Sequence, residues 1–166
     1  MNNTQVVEII NGLKSRLSEA GTMQVQGSSG HVCENKFVFH PSASEKDIEK
    51  FERESGWVLP DSYHEFLILH NGALLFADDY GSSYNLLGTS EIAMNALNVY
   101  PARFYPIAVY IDGAYILIDS DAVKNGEQHY LVWFDSGQLY PLALNFEEWL
   151  DRLIIAQGYP YWYWNL

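Results

Sequence analysis

SEKDIEKFERESGWVLPDSYHEFLILHNGA, residues 44–73, reads as two short helices with marked ends. Ser44 is placed to cap the free amide of Asp47, and Asp47 itself sits in the positive first turn of the helix it opens. Ile48, Phe51 and Ser55 share one face, and Gly56 stops the run. Leu59-Pro60-Asp61 opens the second helix. Proline is tolerated at the first helical position because its missing N–H is not needed there, and Asp61 complements the dipole. Tyr63, Phe66, Leu67 and His70 fall at i, i+3, i+4 and i+7, a single apolar stripe, and Asn71-Gly72 supplies a left-handed exit.

Upstream, Val6, Ile10, Leu13 and Leu17 predict a helix over residues 4–20, ended by Gly21. Residues 21–33, GTMQVQGSSGHVC, are small and polar and read as a mobile loop. Lys36-Phe37-Val38-Phe39 predicts a short strand closed by Pro41. Downstream, residues 73–77 and 83–87 predict strands around the acidic turn Asp78-Asp79-Tyr80-Gly81, and Thr89-Ser90-Glu91 opens a short helix to about Asn98. Residues 105–111 and 114–119 then form a hairpin around Asp112-Gly113, since a two-residue loop needs positive φ. In residues 129–135, Tyr130, Val132 and Phe134 alternate with Leu131 and Trp133, and Ser136-Gly137 turns this run into residues 138–142. Asn145 caps a last helix with Phe146, Trp149, Leu150, Leu153 and Ile154 on one face. The tail Tyr159-Pro-Tyr-Trp-Tyr-Trp-Asn-Leu166 would be a sticky patch if exposed, so it either folds back or forms an interface. Helices first, an antiparallel meander next and a helix last make the chain α+β, a curved, mainly antiparallel sheet with helices packed against it, in one domain over residues 1–166.

The 166 residues are 48% hydrophobic and 18% charged, a globular composition. One cysteine, Cys33, excludes an intrachain disulfide framework. No apolar run approaches the ~18 residues of a membrane span, and the N-terminus does not read as a signal peptide, so a cytoplasmic protein is expected. Nine Lys+Arg stand against 21 Asp+Glu, a net charge of −12. The imbalance is concentrated: from Ser55 onward Arg103, Lys124 and Arg152 face 13 carboxylates. Such a surface repels phosphate backbones and anionic membrane, and it speeds encounter with a basic protein. Acidity serving solubility alone is the plain alternative.

The residues that carry chemistry elsewhere do not assemble here. The phosphate-loop and dinucleotide fingerprints are absent, and GSSG at 27–30 is not a nucleophile elbow. His64 and His70 are six apart, off the i, i+4 spacing that metal ligation on a helix needs, so His70 reads as a core or helix-end hydrogen-bonding group. His31 and Cys33 point the same way along an extended segment, but a structural zinc needs about four such ligands, and a nucleophilic Cys33 needs a base from elsewhere. Asp119 to Glu127 resembles a calcium loop only superficially, because Val123 and Lys124 occupy the fifth and sixth positions. Asp78-Asp79 and Glu147-Glu148 are sequence neighbours whose side chains diverge, so neither pair is set to share acid–base work. Aromatic stacking on nucleic acid would need a basic groove that the second half lacks. No cofactor and no catalytic group are expected.

The opening stretch resembles the signature of the SUKH superfamily, the Smi/Knr type. An acidic capped helix with I-x-x-F/L-E, then L-P-x-x-Y-x-x-F/L, then N-G-G is met by Ile48, Phe51, Glu52, Leu59, Pro60, Tyr63, Phe66, Leu67, Asn71 and Gly72. Ala73 replaces the second glycine. Tyr105 to Ile107, Gly113, Val132-Trp133-Phe134 and Phe146 to Leu150 follow in the family's order, so the likeness spans about 44–154. The resemblance implies a curved antiparallel sheet with helices against it, no catalytic constellation, and, in bacteria, an immunity protein that binds a cognate toxin, often a nuclease. The signature residues themselves are mostly core. Joined to the charge, it leads to a non-enzymatic binder of a basic toxin, with contacts expected at Asp78, Asp79, Tyr80, Asp112, Asp119, Asp121 and Asp135, and Tyr84, Tyr110 and Tyr115 as anchors. The alternative is an interaction scaffold or homodimer working through the aromatic tail.

Overall fold

The computed structural model describes residues 5–111 and 113–165. Helix α1, Val6–Ser15, buries Val6, Ile10 and Leu13 and is shorter than its stripe suggested: Arg16 and Leu17 bond back to Leu13 and Lys14 in a tighter turn. The segment expected to be a mobile loop instead contains β1, Thr22–Gln26, a 3-10 turn over Ser28–Gly30, and the start of β2, Val32–Phe39. Met23 and Val25 point inward at a period of two while Gln24 and Gln26 face out. That alternation is strand chemistry, masked in the sequence by the adjacent glycines and serines.

Helix α2, Glu45–Ser55, carries the expected reciprocal cap: Ser44 Oγ accepts from the Asp47 N–H, and the Asp47 carboxylate accepts from the Ser44 N–H. Gly56 ends it at φ +74°. In α3, Asp61–Leu69, Pro60 precedes the first helical residue rather than occupying it, and Tyr63, Phe66 and Leu67 are fully buried. The Tyr63 hydroxyl donates to the Leu87 carbonyl at 2.5 Å, tying α3 to the sheet.

The remaining elements are β3 (Ala73–Ala77), β4 (Tyr84–Leu86), α4 (Thr89–Asn95), β5 (Phe104–Tyr110), β6 (Ala114–Asp119), α5 (Ser120–Lys124), β7 (Leu131–Asp135), β8 (Gln138–Pro141) and α6 (Phe146–Ile155). All eight strands form one antiparallel sheet whose spatial order repeats their order in the chain. Tyr110 pairs with Ala114, so residues 111–113 join β5 to β6, one residue more than the two-residue turn expected; Asp112 lies outside the described residues. Asn145 and Glu148 cap α6 reciprocally.

The two faces of the sheet are unequal. Ile116, Ile118, Leu131 and Trp133 join the helices in the main core, while Leu117, Val132 and Phe134 meet Tyr100 and Phe104 in a smaller cluster on the other side. The split follows the alternation read in residues 131–134. The tail folds back: Trp162 is 4% exposed and touches Tyr84, Trp133 and Trp149, with ring centroids 6.2, 5.2 and 6.2 Å away. Trp164 remains exposed, stacked on Tyr159. Among the described residues no helix is long and apolar enough to cross a membrane.

Candidate functional site

A cleft of about 430 Å³ opens where β2, the β3–β4 turn, the end of β5 and the C-terminal tail meet. Its back wall comes from β2. Glu34 and Lys36 face outward, so parity turns Cys33, Asn35 and Phe37 inward. Asn35 is buried, and its amide donates to the Phe76 carbonyl at 2.9 Å while its oxygen accepts from Cys33 Sγ at 3.1 Å. A buried amide satisfied in this way fixes the wall.

Phe76 supplies a second constraint. It holds φ +55°, where a bulky residue is strained by about 1–3 kcal/mol. Its ring packs on Phe37 with centroids 4.8 Å apart, and it presses on Gly158 so closely that a β-carbon there would lie 2.5 Å from Phe76 Cγ. The pairing of β2 with β3 shifts register between Lys36 and Val38, beside this residue. The strand and the tail therefore lock each other. Gln157 continues the junction by accepting from the Gln26 N–H at 2.7 Å.

The front is made by tyrosines and a carboxylate. Tyr84 and Tyr110 are direct cross-strand partners, stacked at 4.5 Å and 16°. Asp78 Oδ1 accepts from the N–H groups of Tyr80 and Ser82, closing the β3–β4 turn. Burial raises the Tyr110 hydroxyl above its ordinary range, with the Asp78 charge adding to the effect. Burial does the same to Tyr163, helped by Asp135, to which its hydroxyl donates at 3.5 Å. Both tyrosines therefore stay neutral donors at physiological pH. The Tyr84 ring is 1% exposed, and its hydroxyl, raised by burial, has no hydrogen-bond partner among the described residues.

The ten residues singled out in the sequence do not share one surface. Asp78, Tyr84 and Tyr110 line the cleft, and Asp135 stands behind it through Tyr163. Tyr84 is buried and forms the floor of the cleft, so its ring offers no surface outside it. Asp79 and Tyr80 are exposed at the turn tip, where Tyr80 meets the His31 ring edge-on at 6.4 Å. Tyr115 leans on Phe134 over the smaller cluster. Asp119 lies at the opposite end of β6, capping α5 and paired with Arg103 at 3.2 Å, and Asp121 is 3.8 Å from Lys124. Asn35 and Gln157 are not singled out in the sequence, and Tyr159 and Tyr163 enter only as part of the aromatic tail in the scaffold reading. Strand parity around Glu34 and Lys36 was the available signal for Asn35; the other three depend on where the tail folds. Among the described residues no group of three or more His, Cys, Asp or Glu is placed to hold a metal ion.

The Bacillus subtilis (strain 168) protein named "Uncharacterized protein YobM" is 36% identical over 172 aligned residues, covering 96% of this chain and 92% of that protein. "Uncharacterized protein YnaB" of the same organism is 34% identical over 130, covering 76% of this chain and 86% of its own. The model of the SMI1 / KNR4 family (SUKH-1) matches residues 42–152, the stretch that runs from the α2 cap through most of α6. With that match, the two-helix signature and the eight-stranded sheet, this chain belongs to the SMI1 / KNR4 family (SUKH-1).

Proposed function

We propose that this protein is a non-catalytic binder that neutralises a cognate basic toxin, most simply a nuclease, by covering the surface with which that toxin holds nucleic acid. The observation that carries the reading is the unbalanced charge: 13 carboxylates against three cations from Ser55 onward, with Arg103 and Lys124 already spent on Asp119 and Asp121. Asp78, Asp79 and Asp135 are thereby left to project negative potential around the aromatic cleft. Carboxylates steer a basic partner, and half-buried rings supply the contact area once it has arrived. Family membership agrees with an interaction role.

The test is coexpression with a toxic nuclease encoded beside this protein. The expected result is survival only when both are made, with an association rate that falls as salt rises. Equal killing with and without this protein overturns the pairing, and an on-rate indifferent to salt removes electrostatic steering. The scaffold reading through the tail has less to stand on, because Trp162 is already used inside the molecule.

A further inference from the structure

We infer that the cleft between the β3–β4 turn and the tail receives one cationic side chain, an arginine or lysine, from the protein partner. The inference rests on the binding role just proposed and names its anchor point. Asp78 is the lining residue with a formal charge, and no lysine or arginine is among the described residues around it. Its Oδ1 is engaged by the two turn N–H groups, which leaves Oδ2 without a protein donor among the described residues. Tyr110, Tyr159 and Tyr163 line the same cleft as that carboxylate, and a carboxylate among tyrosine rings is a setting in which a cation gains from both charge and π-electrons. Tyr84 on the floor carries a buried hydroxyl with no partner among the described residues, a polar group that awaits a donor or acceptor. The space, about 430 Å³, suits a long side chain with part of its backbone rather than a whole strand or helix.

A guanidinium is the better fit. It is planar and stacks on tyrosine while bonding a carboxylate edge. The walls are preset rather than formed on binding: Asn35 is held by Phe76 and Cys33, and Phe76 is jammed against Gly158. Holding the walls in advance reduces the ordering that binding would otherwise require.

The experiment titrates the full-length, isotope-labelled protein with N-acetyl-arginine methylamide and follows backbone amide resonances. The neutral isostere N-acetyl-citrulline methylamide is the comparison. The expected result is saturable shifts at Asn35, Asp78, Tyr110 and Tyr159, with at least fivefold weaker binding of citrulline. Asp78→Asn keeps Oδ1 for the turn and should weaken arginine at least fivefold while the rest of the spectrum stays in place. Tyr163→Ala is the second variant and should weaken it too. Glu54→Gln, remote from the cleft, should change nothing. Shifts that fail to saturate, match those of citrulline or survive both Asp78→Asn and Tyr163→Ala overturn the inference. A protein that captures its basic partner but not the arginine probe overturns the cleft and leaves the binding role standing. One that takes the probe but protects against no toxin does the reverse.

Discussion

In α2–α3 each boundary is set by a residue within a few positions of it: Ser44 and Asp47 cap each other, Gly56 turns left-handed, and Gly72 leaves at φ +102°. The cleft is assembled from stretches remote in the chain: Asn35 on β2, Asp78 after β3, Tyr110 at the end of β5, and Gly158 to Tyr163 in the tail. The first region carries the family's signature and is mostly core. The second carries the unsatisfied and exposed chemistry. The residues by which the family is recognised are thus a different set from those with which this member can meet a partner, and changes in the two regions should separate stability from recognition.

The sharpest way to break that separation is Phe66→Ala in α3. The side chain is fully buried against Tyr63 and Phe146, so its removal should cost about 3–5 kcal/mol of stability, read from the urea midpoint, with arginine affinity unchanged in the remaining folded protein. If affinity falls with stability, the two regions are coupled and the contrast fails.

Gly158→Ala probes the cleft side. The residue sits at φ +82° and its β-carbon would collide with the Phe76 ring, so a loss of about 1–3 kcal/mol is expected from strain. Here recognition should fall as well, because the tail and Phe76 shape the cleft together. A fully stable Gly158→Ala variant would mean that Phe76 is not locked.

The smallest effect sits at the junction of α3 and β2. His70 Nδ1–H donates to the His40 carbonyl at 2.7 Å, and Nε2 accepts from the Lys14 ammonium at 2.5 Å. Burial lowers the His70 pKa, and the charges of Lys14 and His40 add to this against the raising effect of the carbonyl bond. The unfolded chain then binds the proton more readily than the folded one. This contribution to stability is complete above the unfolded pKa of ~6.5 and is lost as pH falls toward the folded value. Urea midpoints should therefore drop between pH 7.5 and 5.5, and His70→Gln should flatten that part of the slope. An unchanged slope would assign the pH dependence to other groups.

What could be read in the sequence follows the same division. The caps at Ser44 and Asn145, the stripe Tyr63, Phe66 and Leu67, and the two-faced alternation of Leu131–Phe134 are local patterns, and the fold obeys them. β1 was hidden because only Met23 and Val25 carry its period before four small residues interrupt it. The candidate site was legible in part. Asp78 and Tyr110 are at the cleft because the turn and the hairpin were foreseen. Asn35 follows from the parity of β2, whereas Gln157 and Tyr163 take their places only when the tail returns across the sheet, a long-range contact that no spacing encodes. Nor does the pattern distinguish a ring on the surface, such as Tyr80, from one beneath it, such as Tyr84.

The strand order has a consequence for how the chain is made. Each strand pairs with its predecessor, so a nascent chain can add hairpins as they emerge, with the helices of residues 40–72 as the longest detour. The groove above Tyr84 is different. Its aromatic centre is complete only when Trp162 packs against Tyr84, Trp133 and Trp149, so that part of the core waits on a long-range contact rather than on the pairing of neighbouring hairpins.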